Sequence, residues 1–189
     1  ARSYLLRVPV PHLRVDSQST LESWDVLAVE LVSASALSGW GYQCGFGAAM
    51  ASLKHFIDGA ILPELTGRDA SCHRQWWSEL YQQRHHTGLN GPAIQGVSSP
   101  EVAAWDLMAR AADVPLWMLL DGRCRDRILC YDTNGGWLGY ALDELLENVK
   151  RSIDEGFRGV KVKIGSADFA EDLRRLEAVR TALGDDIMI

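Results

Sequence analysis

No stretch of this 189-residue chain approaches the roughly 20 consecutive apolar residues of a membrane span. Basic residues are outnumbered, 19 Lys and Arg against 25 Asp and Glu, and they form no cluster. That balance argues against nucleic acid or an anionic membrane surface as partner. Cysteine is scarce as well. Cys44, Cys72, Cys124 and Cys130 show no CxxC spacing, which removes the usual zinc and dithiol patterns. They read as reduced, mostly buried thiols of a cytoplasmic protein, and the first residues carry no signal-peptide pattern. Other familiar signals are missing too. Gly39-Trp40-Gly41-Tyr42-Gln43-Cys44-Gly45 lacks the third glycine of a dinucleotide loop, and His85-His86 lacks the glutamate and spacing of a zinc protease. Asp185-Asp186 reads as a solvated turn, and Trp76-Trp77 as core or subunit contact.

What is present has two rhythms. The first 47 residues are strand-like at Tyr4–Val8, Asp25–Val32 and Gly39–Tyr42. Between the first two, Pro9 to Trp24 is polar and without periodicity, which predicts a long loop of the kind that is often functional. Helical patterns follow over Ala48–Asp58, Ser71–His86 and Ser99–Ala112, the last with a serine cap before Pro100 in its first turn. After Asp121-Gly122 the rhythm changes. Arg127–Tyr131 predicts a strand, Leu142–Glu155 an amphipathic helix, and Val160–Ile164 a second strand. Asp168–Leu183 predicts a second helix with Leu173, Leu176, Val179, Ala182 and Leu183 on one side, and Asp186–Ile189 opens a third strand. Such alternation begins either a doubly wound sheet or a (β/α)8 barrel.

The most informative segment is Gly159-Val160-Lys161-Val162-Lys163-Ile164-Gly165. Side chains alternate along a strand, so both lysines share one face and Val160, Val162 and Ile164 take the other. On a surface strand two lysines would be ordinary. Between two helices, in a parallel βαβ unit covered on both faces, they call for anionic partners.

Three stretches together resemble the first half of an enolase-superfamily member of the mandelate racemase and muconate lactonising group. Gly156–Gly165 is similar to the family's lysine-x-lysine strand. Val102-Ala103-Ala104-Trp105-Asp106-Leu107, through Pro115-Leu116 to Leu119-Leu120-Asp121-Gly122-Arg123, is similar to the close of its capping domain. Ala182–Ile189 is similar to the approach to its third barrel strand.

The resemblance implies an α+β capping domain over residues 1–122, followed by the first part of a (β/α)8 (TIM-type) barrel over 123–189. It implies a small-molecule carboxylate substrate and Mg2+ held by acidic residues on later strands, beyond Ile189, so that no metal ligand is expected here. Lys163 would be the base that removes the proton α to the carboxylate. Lys161, nearer the carboxylate, would favour the neutral amine of Lys163 by charge repulsion. Tyr131-Asp132-Thr133-Asn134 resembles the tyrosine-aspartate-serine of the mandelate racemase group, so Asp132 and Thr133 are candidates for substrate binding. A plain strand-to-helix loop with capping residues is the other reading. Residues 12–24 match the family's closing segment. There Arg14 and Asp16, with Ser17, Gln18 and Ser19, would suit a hydroxylated acid, although a solvated loop reads as well. Trp137 would shape the pocket or pack at the barrel rim. An acid-sugar or hydroxy-acid dehydratase is the expected activity, with racemisation or epimerisation and lactone cycloisomerisation as alternatives. A non-catalytic capping module used for association is the alternative of another class. The intact protein is expected to be a homo-oligomer.

Overall fold

The computed structural model describes residues 1–87, 90–122 and 125–189. Arg123 and Cys124 lie outside the described residues, and with them the end of the capping-domain stretch and one of the four thiols. The chain divides into two compact units, residues 1–8 with 23–124 and residues 9–22 with 125–189.

A three-stranded sheet of order β1-β2-β3 is built from Arg2–Val15, Thr20–Val32 and Ser38–Gly45, with residues 2–8, 23–32 and 38–45 in the first unit. β2 and β3 pair antiparallel from Asp25 opposite Gly45 to Val32 opposite Ser38. That register puts Leu27, Val29 and Leu31 opposite Gln43, Gly41 and Gly39 on one face. The helix α4 (Pro92–Ala111) lies so close to this face that a Cβ on Gly41 would stand 2.0 Å from the Ser99 carbonyl oxygen. Only glycine permits that approach. Around it α1 (Ala48–Phe56), a π-helical turn (Ile57–Ile61), α2 (Leu62–Leu65) and α3 (His73–Gln83) bury an apolar core of Leu27, Val29, Leu53, Ile57, Ile61, Trp76, Leu80 and Val97. A short helix, α5 (Leu116–Leu119), follows α4.

Several expectations are corrected. The supposed loop from Pro9 to Trp24 is mostly strand, because β1 runs on to Val15 and β2 begins at Thr20. β1 is an edge strand, where a proline's missing N–H need not cost a ladder bond. The fourth helix starts at Pro92, not Ser99, and Pro100 sits inside it. Proline there removes an intrahelical bond. The Gln43 side-chain amide brings a donor to the same turn, giving hydrogen bonds to the Gln95 carbonyl at 3.0 Å and to Ser99 Oγ at 2.9 Å. Cys44, Cys72 and Cys130 are free but exposed, not buried. Cys44 alternates with the inward Gly41 and Gln43 and so falls on the other face of β3.

In the second unit, α6 (Leu142–Asp154) and α7 (Phe169–Leu183) cover a minimal parallel sheet. Asp132 bridges Val160, and Gly159 bridges Met188, both parallel. The expected strands Arg127–Tyr131 and Val160–Ile164 therefore shrink to single bridges. Residues 125–131 are exposed throughout, and the ladder bonds cluster at Asp132, Val160, Lys161 and Met188. Bridge, helix, bridge, helix, bridge in parallel order is the start of a (β/α)8 barrel, and the first unit has the α+β make-up expected before it in the chain. Tyr140, Leu145, Val149, Val160 and Val179 form the second unit's apolar core, with Val162 packed on it. On α7, Leu173 is 47% exposed, contrary to the expected apolar side. The buried positions are Asp172, Arg175 and Val179, which share a face at i, i+3 and i+7. Among the described residues, no helix is long and apolar enough to cross a membrane.

Candidate active site

The lysine segment is fixed by its backbone before its side chains act. Lys161 N–H donates to the Asp132 carbonyl at 2.8 Å, and Lys163 N–H donates to the Gly136 carbonyl at 2.7 Å. Gly136 must be glycine, since a Cβ there would stand 2.0 Å from the Lys161 carbonyl oxygen. With Val160 and Val162 packed on the helix side, Lys161 and Lys163 take the opposite face. Lys161 is exposed and Lys163 half-buried.

Lys163 Nζ lies 5.1 Å from the centre of the Trp137 ring, within cation–π range. The Arg14 guanidinium stands 5.3 Å from the same ring. Arg14 comes from the hairpin tip and is tied down there: its Nη1 donates to the Asn134 carbonyl at 3.0 Å and to the Tyr140 hydroxyl at 3.3 Å. The adjacent backbone joins in, with Leu138 N–H donating to the Val15 carbonyl at 3.0 Å. The segment 9–22 thus belongs to the lysine unit in packing as well as in contact.

The acidic candidates are engaged in shaping loops. Asp16 Oδ1 accepts from Gln18 N–H at 2.9 Å, Ser19 N–H at 2.8 Å and Ser19 Oγ at 2.9 Å, which makes the hairpin turn. The Gln18 N–H and the Ser19 hydroxyl hold its carboxyl below the usual range, and the Lys163 charge acts in the same direction. Asp132 Oδ1 accepts from Asn134 N–H at 3.0 Å. Its Oδ2 accepts from Gly135 N–H at 3.0 Å and Ser152 Oγ at 2.8 Å. Burial pushes the Asp132 carboxyl up, but these donors outweigh it and the net shift is downward. Thr133, next to it, is exposed.

The structure therefore brings Lys163, Trp137, Arg14 and Asp16 together, with Lys161 and Asp132 on the adjoining backbone. Tyr140, Ser152, Asp172 and Arg175 also hold this assembly and were not singled out in the sequence. The available signal was a charge at two positions in register with Val179 on an amphipathic helix. Among the described residues, no three His, Cys, Asp or Glu side chains converge to hold a metal ion. The described residues do not by themselves fit a magnesium site.

Comparison with known proteins identifies the chain's relatives. Residues 5–121 match the family model described as "Mandelate racemase / muconate lactonizing enzyme, N-terminal domain", and residues 144–189 match "Enolase C-terminal domain-like". The chain is 35% identical over 187 residues to L-talarate/galactarate dehydratase of Salmonella typhimurium, covering 96% of this chain and 46% of that enzyme. A crystal structure of that dehydratase, liganded with Mg and L-lyxarohydroxamate, superposes with a TM-score of 0.89 at 32% identity, over 98% of this chain and 48% of that one. L-Talarate dehydratase from Polaromonas sp. JS666, complexed with Mg and L-glucarate, gives 0.86 at 31% identity, over 98% and 51%. The 3,6-anhydro-alpha-L-galactonate cycloisomerase of Streptomyces coelicolor is 29% identical over 97% of this chain and 51% of its own length. The chain spans about half the length of these relatives. Its capping unit, its parallel lysine segment and these matches together show that it belongs to the mandelate racemase/muconate lactonizing enzyme family of the enolase superfamily.

Proposed function

We propose that the protein removes the proton α to the carboxylate of an acid sugar, with Lys163 as the base, and that loss of the β-hydroxyl follows. The observation that carries this reading is the half-buried Lys163 amine held over Trp137, on the same strand face as Lys161. The nitrogen lone pair of Lys163 takes the α-proton, and the electrons of the C–H bond pass into the carboxylate as an enediolate. Lys161, one step along the same face, offers a cation to that growing negative charge. Departure of the neighbouring hydroxyl as water, protonated by an acid, leaves an enol that tautomerises to a 2-keto acid. The names of the relatives support this substrate class, since they act on talarate, galactarate and arabinonate. Mg2+ is carried over from the relatives' structures, with ligands outside the described residues.

Arg14, Asp16, Asp132 and Thr133 remain proposed as the substrate-facing surround. Asp16 and Asp132 would act through the loops they shape, while Thr133, exposed on the Asp132 loop, would donate to the substrate carboxylate. A second reading, cycloisomerisation of a lactone, is favoured by the match to a cycloisomerase and shares the same first step.

The test is α-proton exchange into D2O in the full-length protein with magnesium and galactarate. Lys163→Ala should lower exchange by about 10²–10⁴-fold, the usual contribution of a positioned base. Exchange at the parent rate in a folded Lys163→Ala would remove the assignment.

A further inference from the structure

Two buried charges on α7 stand beside the lysine segment, and the steps above do not use them. Asp172 is 8% exposed and Arg175 is 5% exposed. They lie three residues apart and therefore on one face. Asp172 Oδ2 accepts from Gly165 N–H at 2.7 Å, and both its oxygens accept from Ser166 N–H at 3.2 Å. Arg175 Nη1 donates to the Tyr140 carbonyl at 2.8 Å and Nη2 to the Trp137 carbonyl at 3.2 Å. One charge holds the backbone just after Lys163. The other holds the loop that carries the indole against which Lys163 rests.

The choice of charged residues is itself informative. Buried ion pairs are often replaceable by apolar side chains at no loss of stability. Arg175 Nε is moreover buried with no hydrogen-bond partner, an arrangement that costs stability. What the pair supplies, and a leucine could not, is direction: fixed hydrogen bonds to four named backbone groups on two different segments.

We propose that Asp172 and Arg175 are positioning residues for Lys163, clamping from a single helix face both the backbone that follows the lysine and the Trp137 loop beneath its amine. This rests on the reading of Lys163 as the base. In consequence the spacing between base and indole is set from α7. A displacement of about 1 Å in such a group can cost on the order of 10²-fold in rate.

The test uses the full-length protein with ¹³C-methylated lysines, the Lys163 resonance being assigned by its loss in Lys163→Arg. Over an indole face this signal should lie upfield of exposed lysines. In Asp172→Asn and Arg175→Gln it should move to the position of exposed lysines, as in Trp137→Leu, while Arg175→Lys keeps part of the shift. Turnover should fall in kcat on the order of 10²-fold, with KM changed by less than about threefold. An unmoved Lys163 signal in folded Asp172→Asn and Arg175→Gln would overturn the proposal. Should either variant fail to fold, Asp172→Glu and Arg175→Lys carry the same readout, and parent-like spectra and kcat in both would overturn it. The spectrum does not depend on turnover. A parent protein that shows the shift and its loss in the variants, but no α-proton exchange, would sink the proposed function and leave the positioning role standing.

Discussion

The two units differ in the balance of apolar and polar burial. The first has an apolar cluster of 12 buried residues, among them Leu27, Ile57, Ile61, Leu80 and Val97 without solvent exposure. Asp25, His73, Arg84 and Ser99 are buried with it, whereas the second unit has a cluster of five with Asn148, Ser152, Asp172 and Arg175 buried beside it, among the described residues. Apolar packing is tolerant, since volume and pattern suffice and residues of similar shape can replace one another. Hydrogen bonds to named backbone groups are not tolerant, because removing one partner strands the other. Directed hydrogen bonds therefore carry a larger share of the second unit's structure, because the same number of buried polar side chains stands beside a much smaller apolar cluster.

The largest effect expected in the first unit comes from its core. Ile57→Ala should cost about 2–5 kcal/mol of stability, read by denaturant unfolding, with kcat of the folded enzyme unchanged. A loss of kcat without a loss of stability would erase the distinction between the units. Gly41→Ala comes next, at about 1–3 kcal/mol, since its Cβ would meet the Ser99 carbonyl and α4 would have to shift. In the second unit, Asp132→Ala removes the acceptor for two N–H donors of the 132–135 loop and for the Ser152 hydroxyl on α6. It should cost at most about 1–3 kcal/mol, reduced by the part of the carboxylate that faces water, and should cost more in kcat than in stability.

Acid should act on both units at once. Asp25 is held below its ordinary value of 3.8 by the Arg7 side chain and the Gly47 N–H. Asp172 is held below it by the Gly165 and Ser166 N–H groups, and Asp132 by its loop donors. A depressed folded pKa contributes stability that is complete above the unfolded value and lost as pH falls through the folded one. Unfolding midpoints should thus be flat from neutral to about pH 5 and fall below about pH 4. A midpoint that rises on acidification would contradict these shifts. The smallest effect belongs to the exposed pair Lys54–Asp58, where Lys54→Ala should change stability by about 0.5 kcal/mol or less.

Much of this was legible in the sequence because it rests on periodicity. Leu142–Asp154 and Phe169–Leu183 declared themselves as helices, and the alternation around Lys161 and Lys163 gave their shared face. The failures came where tertiary contacts decide. Pro9 and Pro11 look like loop residues until β1 is known to be an edge. Pro100 looks like the first turn of a helix, yet the helix begins at Pro92 and Pro100 lies inside it. The Gln43 amide, more than 50 residues away, bonds the turn that carries Pro100, a contact no local pattern reveals. Asp172 and Arg175 were not singled out because their partners are backbone groups, which no side-chain pattern reveals. The domain division expected at about residue 122 likewise gave no sign that residues 9–22 pack with residues 125–189.

That packing also sets a timetable. Arg14 and the Tyr140 hydroxyl that it contacts are separated by 126 positions in the chain. At a synthesis rate of about 5–20 residues per second, the hairpin tip waits roughly 6–25 seconds for its partners to be made. During that interval a strand edge stands open to the wrong neighbour. The turn that presents it is Asp16-Ser17-Gln18-Ser19, closed on itself through one carboxylate and wholly polar. A tip that folds locally and keeps its polar face outward can wait without recruiting another nascent chain.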